Sequence, residues 1–261
     1  MKFLGSLLLV LAVLTAGARA DWQTELSSTD PGGFLPLRPL HAHYKFGWTA
    51  FTAAEATFDY THAKGGLTRM EVDAKTIGFV RTLWKLDAKH VALMDPSTLR
   101  PVTMRQKEIY HDKTLLTTLD FNSEGVVRQR QTLPYDAKAK TKHFDYPGLF
   151  DLNSALHWVR SQRLKQGDVY KLVVYPATTP YLAEVDVVGR QKLNVAGKEW
   201  NAVKLELKLW HITDDFELEP HTKFKHAYIW TSDDANRVLL KINAEIFVGS
   251  VWAELDALDV K

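Results

Sequence analysis

Apolar and polar residues alternate along most of the chain, and this alternation is its main structural signal. It begins at residues 41–48 and recurs at 54–60, 169–175, 181–187 and 238–246. A period of two places successive side chains on opposite faces of an extended strand, so each stretch predicts a half-buried β-strand. Turn-forming residues separate the stretches, and strands joined at such short spacings predict an antiparallel meander.

Two segments break the alternation and favour helices. Residues 151–164 carry an apolar stripe at helical spacing, and Asp151 is placed to cap the predicted helix. Residues 76–85 also space their apolar side chains as a short helix does. The sequence therefore predicts a mainly β fold, either a single antiparallel curved sheet or a partly open β-barrel. One main helix at 151–164 and a short helical crossover at 76–85 accompany that sheet.

The N-terminus has the three parts of a cleavable signal peptide. Lys2 supplies positive charge, residues 3–15 are apolar, and Ala18-Arg19-Ala20 ends in small residues, with cleavage expected after Ala20. The apolar run is too short for a membrane-spanning helix, which needs about 20 residues. We therefore expect the chain to be exported and its final location to be the periplasm.

The chain divides into three parts of unequal length. Residues 1–20 are the signal peptide, residues 21–39 are an irregular lead-in rich in turn-forming residues, and residues 40–261 are predicted to form a single β-rich domain. The halves on either side of the predicted main helix would each leave sheet edges uncovered, so we expect them to share one sheet. No later apolar segment approaches the length of a membrane span, and the mature chain is predicted to have no transmembrane segment.

Composition and charge narrow the classes of partner. The chain has no cysteine, which excludes a lipid anchor at the cleavage site and disulfides. It has 33 Lys and Arg against 31 Asp and Glu, and loss of Lys2 and Arg19 with the signal peptide leaves equal numbers. A neutral chain with interspersed charges gives no electrostatic case for nucleic acid or for an anionic membrane surface. The basic cluster at 138–143 is interpreted as a solvated loop.

One pair of histidines has the spacing of metal ligands. His41 and His43 would project from the same face of a strand, as two ligands of a zinc or copper ion. A third ligand would have to come from a residue such as His62, Glu55 or His226, and nothing in the sequence nominates one. With ten histidines in the chain, one such pair arises easily by chance, so we predict no metal site.

Two acidic stretches carry the carboxylates that glycoside hydrolysis requires. They are Asp214, Asp215, Glu217 and Glu219, and then Asp233 with Asp234. Each is typical of a solvated turn. The chain also lacks a G-x-S-x-G elbow, a cysteine nucleophile, a phosphate-binding glycine loop and H-E-x-x-H. These absences favour a non-enzymatic protein, with no catalytic residue and no cofactor predicted, although a catalytic triad need not be local in sequence.

Aromatic residues offer the more specific hypothesis, since the chain has eight tryptophans and nine tyrosines. On a concave sheet they would line a pocket for an acyl chain or stack on sugar rings, unless they only fill the core. The predicted ligand-binding residues are Tyr44, Phe46, Trp48, Phe58, Trp230 and Trp252. Trp210 shares a predicted strand face with charged residues, so a loop covers it or it belongs to a contact surface.

Four segments, in this order, resemble one family of exported bacterial proteins. They are DPSTLRP at 95–101, LNSALHWVRSQRLKQGD at 152–168, VVGRQKLNVAGKEWNAVKLEL at 187–207 and IWTSDDANRVLLKINAEIFVGSVWAEL at 229–255. The family is domain of unknown function 3108, and the resemblance covers nearly all of the mature chain. It implies a periplasmic protein with a β-rich, partly open barrel, similar in general shape to lipoprotein carriers that shelter acyl chains in a curved sheet. It carries over no catalytic residue.

Three functional hypotheses remain from the sequence. The first is a non-enzymatic periplasmic protein that binds an apolar or amphipathic ligand, such as a lipid or acyl chain, in the concavity of its sheet. The second is a glycan-binding or glycan-processing envelope protein. The third is a structural or assembly partner of another envelope protein, which would contact it through an exposed sheet edge.

Overall fold

A computed structural model describes residues 22–34 and 38–260 of the chain, so the predicted signal peptide at 1–20 lies outside the described residues. The strands are β1 Leu40–Trp48, β2 Phe51–His62, β3 Thr68–Thr76, β4 Asp87–Met94, β5 Pro101–Ile109, β6 Thr114–Phe121, β7 Gly125–Leu133, β8 Lys140–Asp145, β9 Val169–Val174, β10 Tyr181–Val195, β11 Lys198–Ile212, β12 Leu218–Pro220, β13 His226–Ser232, β14 Leu239–Glu245 and β15 Ser250–Val260. The α-helices are α1 Gly78–Leu83 and α2 Leu152–Ser161. Both predicted helices are thus confirmed, each with shorter bounds.

All fifteen strands belong to one antiparallel sheet. Its hydrogen-bonded order is β8-β7-β6-β5-β4-β3-β2-β1-β15-β14-β13-β11-β10-β9, and β12 pairs with β11. The pairing of β1 with β15 joins the two halves of the chain that flank α2. The predicted mainly β fold with a single antiparallel sheet is confirmed, and the sheet is not closed into a barrel.

Side chains from the two ends of the sheet meet even though the described strands β8 and β9 do not pair. Met104 of β5 lies in one buried cluster with Val173 of β9 and Leu182 of β10. Lys142 of β8 forms an ion pair of 2.9 Å with Asp214, which follows β11. The sheet is therefore strongly curved, and buried apolar surface rather than strand pairing brings its two ends together.

The main helix, α2, is fixed at its N-terminus by Asp151. The Asp151 carboxylate accepts the Ser154 backbone N–H at 2.6 Å, and the Asp151 N–H donates to the Ser154 hydroxyl at 2.9 Å. This capping box satisfies two backbone donors that the first turn would otherwise leave free. Trp158 of α2 packs in a buried cluster with Leu205 of β11, so the helix covers the concave face of the sheet.

The lead-in contributes a short 3₁₀ helix, Trp22–Glu25, and then runs along the exposed side of β9. Ser27 donates its backbone N–H to the Lys171 carbonyl and accepts the Lys171 N–H at its hydroxyl, both at 3.0 Å. The Trp22 indole N–H donates to the Phe216 carbonyl at 3.0 Å, and its ring stacks on Tyr146. The lead-in thus covers a sheet edge and connects it to the segment that follows β8.

In an antiparallel sheet the connections alternate between its two ends. The β1–β2 turn, α1 between β3 and β4, and the β14–β15 turn all lie at the same end. No helix within the described residues is long and apolar enough to cross a membrane.

Candidate functional site

Four of the six predicted ligand-binding residues lie together in one apolar cluster. Tyr44 and Trp230 are buried in one cluster, and Phe46 and Phe58 pack against it. The Tyr44 and Phe58 rings meet edge to face at 5.0 Å, and the Tyr44 hydroxyl donates to the Leu239 carbonyl at 2.7 Å. Burial raises the pKa of Tyr44 above its usual value. These four side chains are closely packed, and the Tyr44 hydroxyl is hydrogen-bonded to a carbonyl of the same cluster.

The other two lie apart from that cluster: Trp48 is the last residue of β1, and Trp252 lies near the start of β15, paired with Gly47. The alternation along β1 predicts Trp48 on the same face as Tyr44. Trp48 ends that strand opposite Val251, where the β1–β2 register shifts between Phe46 and Gly47 and leaves one extra residue in β2. After this bulge Trp48 is 46 % exposed.

Hydrogen bonds between two hairpins hold both indoles in place. The Trp48 N–H donates to the Val248 carbonyl, and the Trp252 N–H donates to the Thr49 carbonyl, each at 2.9 Å. The Thr49 backbone N–H donates to the Ser250 carbonyl at 2.7 Å. A side chain at Gly47 would collide with the Trp252 ring, so glycine allows the indole to lie across β1. The β1–β2 and β14–β15 turns therefore form one rigid unit.

Exposed apolar side chains are concentrated at the end of the sheet that carries these two turns. Of sixteen exposed large hydrophobic residues in the described chain, eleven lie at this end: Trp48, Phe51, Phe79, Leu83, Trp84, Leu133, Tyr135, Phe216, Phe247, Val248 and Val251. The five elsewhere are Phe34, Val102, Leu152, Val169 and Val188. Exposed apolar side chains gathered in one region often mark an interaction site. We call this the aromatic end.

Most side chains of the aromatic end lie in turns or at strand ends, whereas the pattern that predicted ligand-binding aromatics applies to strands. Phe51 opens β2 at 68 % exposure, and Phe247 stands in the β14–β15 turn at 93 % exposure. Turns normally carry Gly, Pro, Asn, Asp or Ser, for which each has a physical reason. The turn sequences Trp-Thr-Ala-Phe at 48–51 and Ile-Phe-Val-Gly at 246–249 depart from that rule. These unusual turn sequences were the signal from which the aromatic end could have been predicted.

A groove of about 450 Å³ crosses the outward face of β1–β5 next to α1. Its walls include His43, Glu55, Lys75, Asp87 and Lys107. Most of these charges are already paired: Lys75 contacts Glu55 at 3.0 Å, and Arg81 of α1 bonds both oxygens of Asp87. The Arg81 guanidinium lowers the pKa of Asp87. The groove has the size of a small-molecule site, but its polar groups satisfy one another.

The two histidines with metal-ligand spacing do share the outward face of β1, and each has a carboxylate partner. His41 Nδ1 lies 2.8 Å from Asp59, and His43 Nδ1 lies 3.0 Å from Asp256. The Lys45 ammonium and His43 lower the pKa of Asp256. Within residues 22–34 and 38–260, no group of three or more His, Asp or Glu is placed to hold a metal ion.

The two acidic stretches lie at opposite ends of the sheet. Asp214 follows the end of β11 and pairs with Lys142, which lowers the pKa of this carboxyl. Asp233 bonds Arg190 at 2.8 Å, and its backbone N–H donates to Asn201 near the start of β11. Eleven strand residues separate these points, roughly 35 Å at the rise of an extended strand. Glycosidase carboxyl pairs lie within about 10 Å.

Trp210 is half-buried and partly covered by a neighbouring segment. It pairs with Pro220 of β12 and packs against the cluster that joins the two ends of the sheet.

A polar cluster that the sequence did not single out lies on the inward face of β4 and β5. His90 Nε2 lies 3.7 Å from the Glu108 carboxylate, and the Tyr110 hydroxyl donates to the same carboxylate at 3.3 Å. The His90 contact lowers the pKa of Glu108. This arrangement stabilises a carboxylate on the polar part of the concave face, beside β6 and β7.

The model of one protein family matches residues 42–256, and that family is described as a protein of unknown function, DUF3108. The chain belongs to this family. The resemblance drawn from the four sequence segments is thereby confirmed. The search of curated proteins finds no match. Membership in this family identifies the relatives of the chain, but the family description names no activity.

One solved structure shows the same type of fold. A β-barrel-like protein of domain of unknown function DUF1849 from Brucella abortus has a TM-score of 0.59 at 12 % identity, over 87 % of this chain and 99 % of that chain. A Parabacteroides distasonis protein, provisionally described as a lipoprotein, has a TM-score of 0.34 at 10 % identity, over 88 % of this chain and 99 % of that chain. At such identities the first likeness shows the fold alone.

Proposed function

We propose that this chain is a non-enzymatic, exported envelope protein that binds the apolar part of an amphipathic ligand at its aromatic end. The observation that carries the proposal is the concentration of eleven of sixteen exposed large hydrophobic side chains in the described residues at that end. Each such side chain, when covered by an apolar ligand, contributes about 1.5–3 kcal/mol of favourable burial. The signal peptide expected at residues 1–20 supports the envelope location.

The aromatic end supports a ligand-contacting role better than the packed inner cluster does. Tyr44 and Trp230 are 5 % and 8 % exposed, so a ligand would have to displace them. Trp48 is 46 % exposed, and its indole N–H is already satisfied by Val248, so its ring presents apolar surface at no polar cost. Of the six predicted residues, Trp48 and Trp252 are therefore the ones we propose as ligand contacts, together with Phe51 and Phe247.

Binding of a fluorescent acyl probe to the purified protein tests the proposal. We expect saturable binding that Phe51→Ser weakens roughly tenfold, because one exposed aromatic side chain is lost. Leu152→Ser is the matched control, since Leu152 is comparably exposed but lies at the start of α2. Native mass spectrometry should find co-purified lipid. The proposal is wrong if no probe binds and no lipid is found, or if both variants behave alike.

A further inference from the structure

We propose that four neighbouring connections at the aromatic end dock the protein onto a phospholipid bilayer that contains anionic lipids. They are residues 48–51, 77–86, 221–225 and 246–249, and we call them the four-loop surface. The inference rests on the proposed function and names the source of the amphipathic ligand: an assembled bilayer rather than a single lipid molecule.

The four loops follow one another along the sheet. The 77–86 connection joins β3 to β4, the 48–51 turn joins β1 to β2, the 246–249 turn joins β14 to β15, and 221–225 leads into β13. Backbone bonds connect them laterally. Ile77 donates to Ala53 at 2.9 Å, Thr49 to Ser250 at 2.7 Å, and Lys225 to Glu245 at 2.7 Å. The surface is therefore continuous and held by the sheet.

The apolar side chains of this surface protrude instead of lining a cavity. Phe247, Phe79 and Leu83 are 93 %, 74 % and 69 % exposed. With Phe51, which is 68 % exposed, the protruding side chains come from three separate loops. This arrangement suits a soft surface, because lipids can rearrange around each side chain. The indoles of Trp48 and Trp252 lie just behind the tips, where tryptophan is favoured at a membrane interface.

The charges of the four loops are all of one sign. The loops contain no Asp or Glu, and they carry Arg81, Lys85, Lys223 and Lys225. Arg81 pairs with Asp87, whereas the three lysines form no ion pair with any described residue. Each basic residue near an anionic bilayer contributes favourably and in a salt-dependent way. Cations around a protruding aromatic patch are complementary to anionic headgroups above an apolar layer.

The remaining connections at the same end differ in charge. Residues 213–219 contain Asp214, Asp215, Glu217 and Glu219 and no basic residue. The cationic surface is thus confined to the loops from α1 round to β13. Because anionic headgroups attract the four-loop surface and repel the acidic turn, the molecule should bind with the four-loop surface toward the bilayer and residues 213–219 farther from it.

Vesicle flotation with the purified protein tests the inference. The vesicles contain either phosphatidylcholine alone or equal amounts of phosphatidylcholine and phosphatidylglycerol. We expect flotation with the anionic vesicles that falls as salt is raised. Phe247→Ser should lower the apparent affinity roughly tenfold, because an inserted aromatic side chain is lost. Lys223→Glu with Lys225→Glu should abolish the preference for anionic vesicles.

Matched controls lie outside the four-loop surface. Leu152→Ser changes an exposed apolar residue, and Lys64→Glu with Lys165→Glu changes two exposed lysines. These variants should float like the unaltered protein. The bilayer inference is overturned, while the proposed function stands, if the protein binds the acyl probe but floats with neither vesicle. Equal flotation of all variants, or a stable complex with an envelope protein through Phe247 without vesicle binding, also overturns it. Failure of both probe binding and flotation overturns the two together.

Discussion

At the residue scale, His157 is the clearest case of a polar group forced into the core. It lies on α2 at 2 % exposure, its ring meets Tyr60 edge to face at 5.0 Å, and its Nδ1 has no hydrogen-bond partner in the described residues. Burial, reinforced by the charge of Arg160, lowers the pKa of His157 from 6.5 to about 3. The imidazole is therefore neutral in the folded protein.

This histidine makes the folded state sensitive to acid. Because the unfolded chain binds the proton at a higher pKa, the stability that the neutral imidazole provides is complete above pH 6.5 and is lost as pH falls toward 3. We expect a loss of about 2 kcal/mol between pH 6.5 and 5. Urea unfolding of His157→Leu should lack this part of the pH dependence, whereas His111→Leu at an exposed turn should keep it. Equal pH profiles for both variants would contradict the assignment.

Single residues also show which side-chain positions the alternation along a strand can predict and which it cannot. Alternation placed Tyr44, Phe46 and Phe58 correctly on one side of the sheet, because a regular strand obeys the period of two. It gave no sign that Trp48 is exposed at the end of β1, because the bulge beside Gly47 depends on how β1 meets β2. The prominence of Phe247 likewise depends on the β14–β15 turn lying beside the β1–β2 turn, which is a long-range contact.

At the scale of elements, the C-terminus of α2 depends on a residue from a distant turn. Arg237, between β13 and β14, donates to the Arg160 carbonyl at 2.8 Å, to the Arg163 carbonyl at 3.2 Å and to the Gln162 carbonyl. These carbonyls have no partners within the last helical turn, and a cation there also complements the helix dipole. Burial lowers the pKa of Arg237.

Loss of this guanidinium should loosen α2 from the sheet. Arg237→Met leaves three carbonyls, of which that of Arg160 is buried, without charged donors, and we expect it to lower the free energy of unfolding by about 3 kcal/mol. Arg237→Lys should recover only part of this, because one ammonium cannot reach all three carbonyls. Arg163→Met, at an exposed side chain in the same segment, is the control. Chemical denaturation measures all three, and a neutral Arg237→Met would refute the anchoring role.

Elements were more predictable than their mutual contacts. The capping position of Asp151 and the apolar stripe after it were sufficient to predict α2, since both signals are local. The contact of Arg237 with the end of that helix joins residues more than seventy positions apart and has no local pattern. The same applies to the lead-in, whose Ser27 satisfies the backbone of β9.

At the scale of the whole molecule, net charge proved a poor guide to surface chemistry. The mature chain is expected to be neutral, and this gave no case for an anionic membrane. The fold nevertheless gathers four loops without an acidic residue into one surface, although they come from positions 48 to 249. Charge separation of this kind arises from topology, so only the folded arrangement shows it.

The molecule as a whole also depends on the lead-in to hold the two ends of the sheet. Trp22 contacts Tyr146 beyond β8 and Phe216 beyond β11, while Ser27 pairs with β9.

Trp22→Ala should therefore free this part of the molecule without unfolding it, because the sheet itself is continuous through β1. Hydrogen exchange should become faster in residues 169–174 and 213–218 and stay unchanged in β1 and β15. Trp84→Ala is the control, because Trp84 follows α1 and is 54 % exposed. It should leave all of these exchange rates unchanged. Uniform acceleration across the sheet would mean that Trp22 supports global stability instead of the junction.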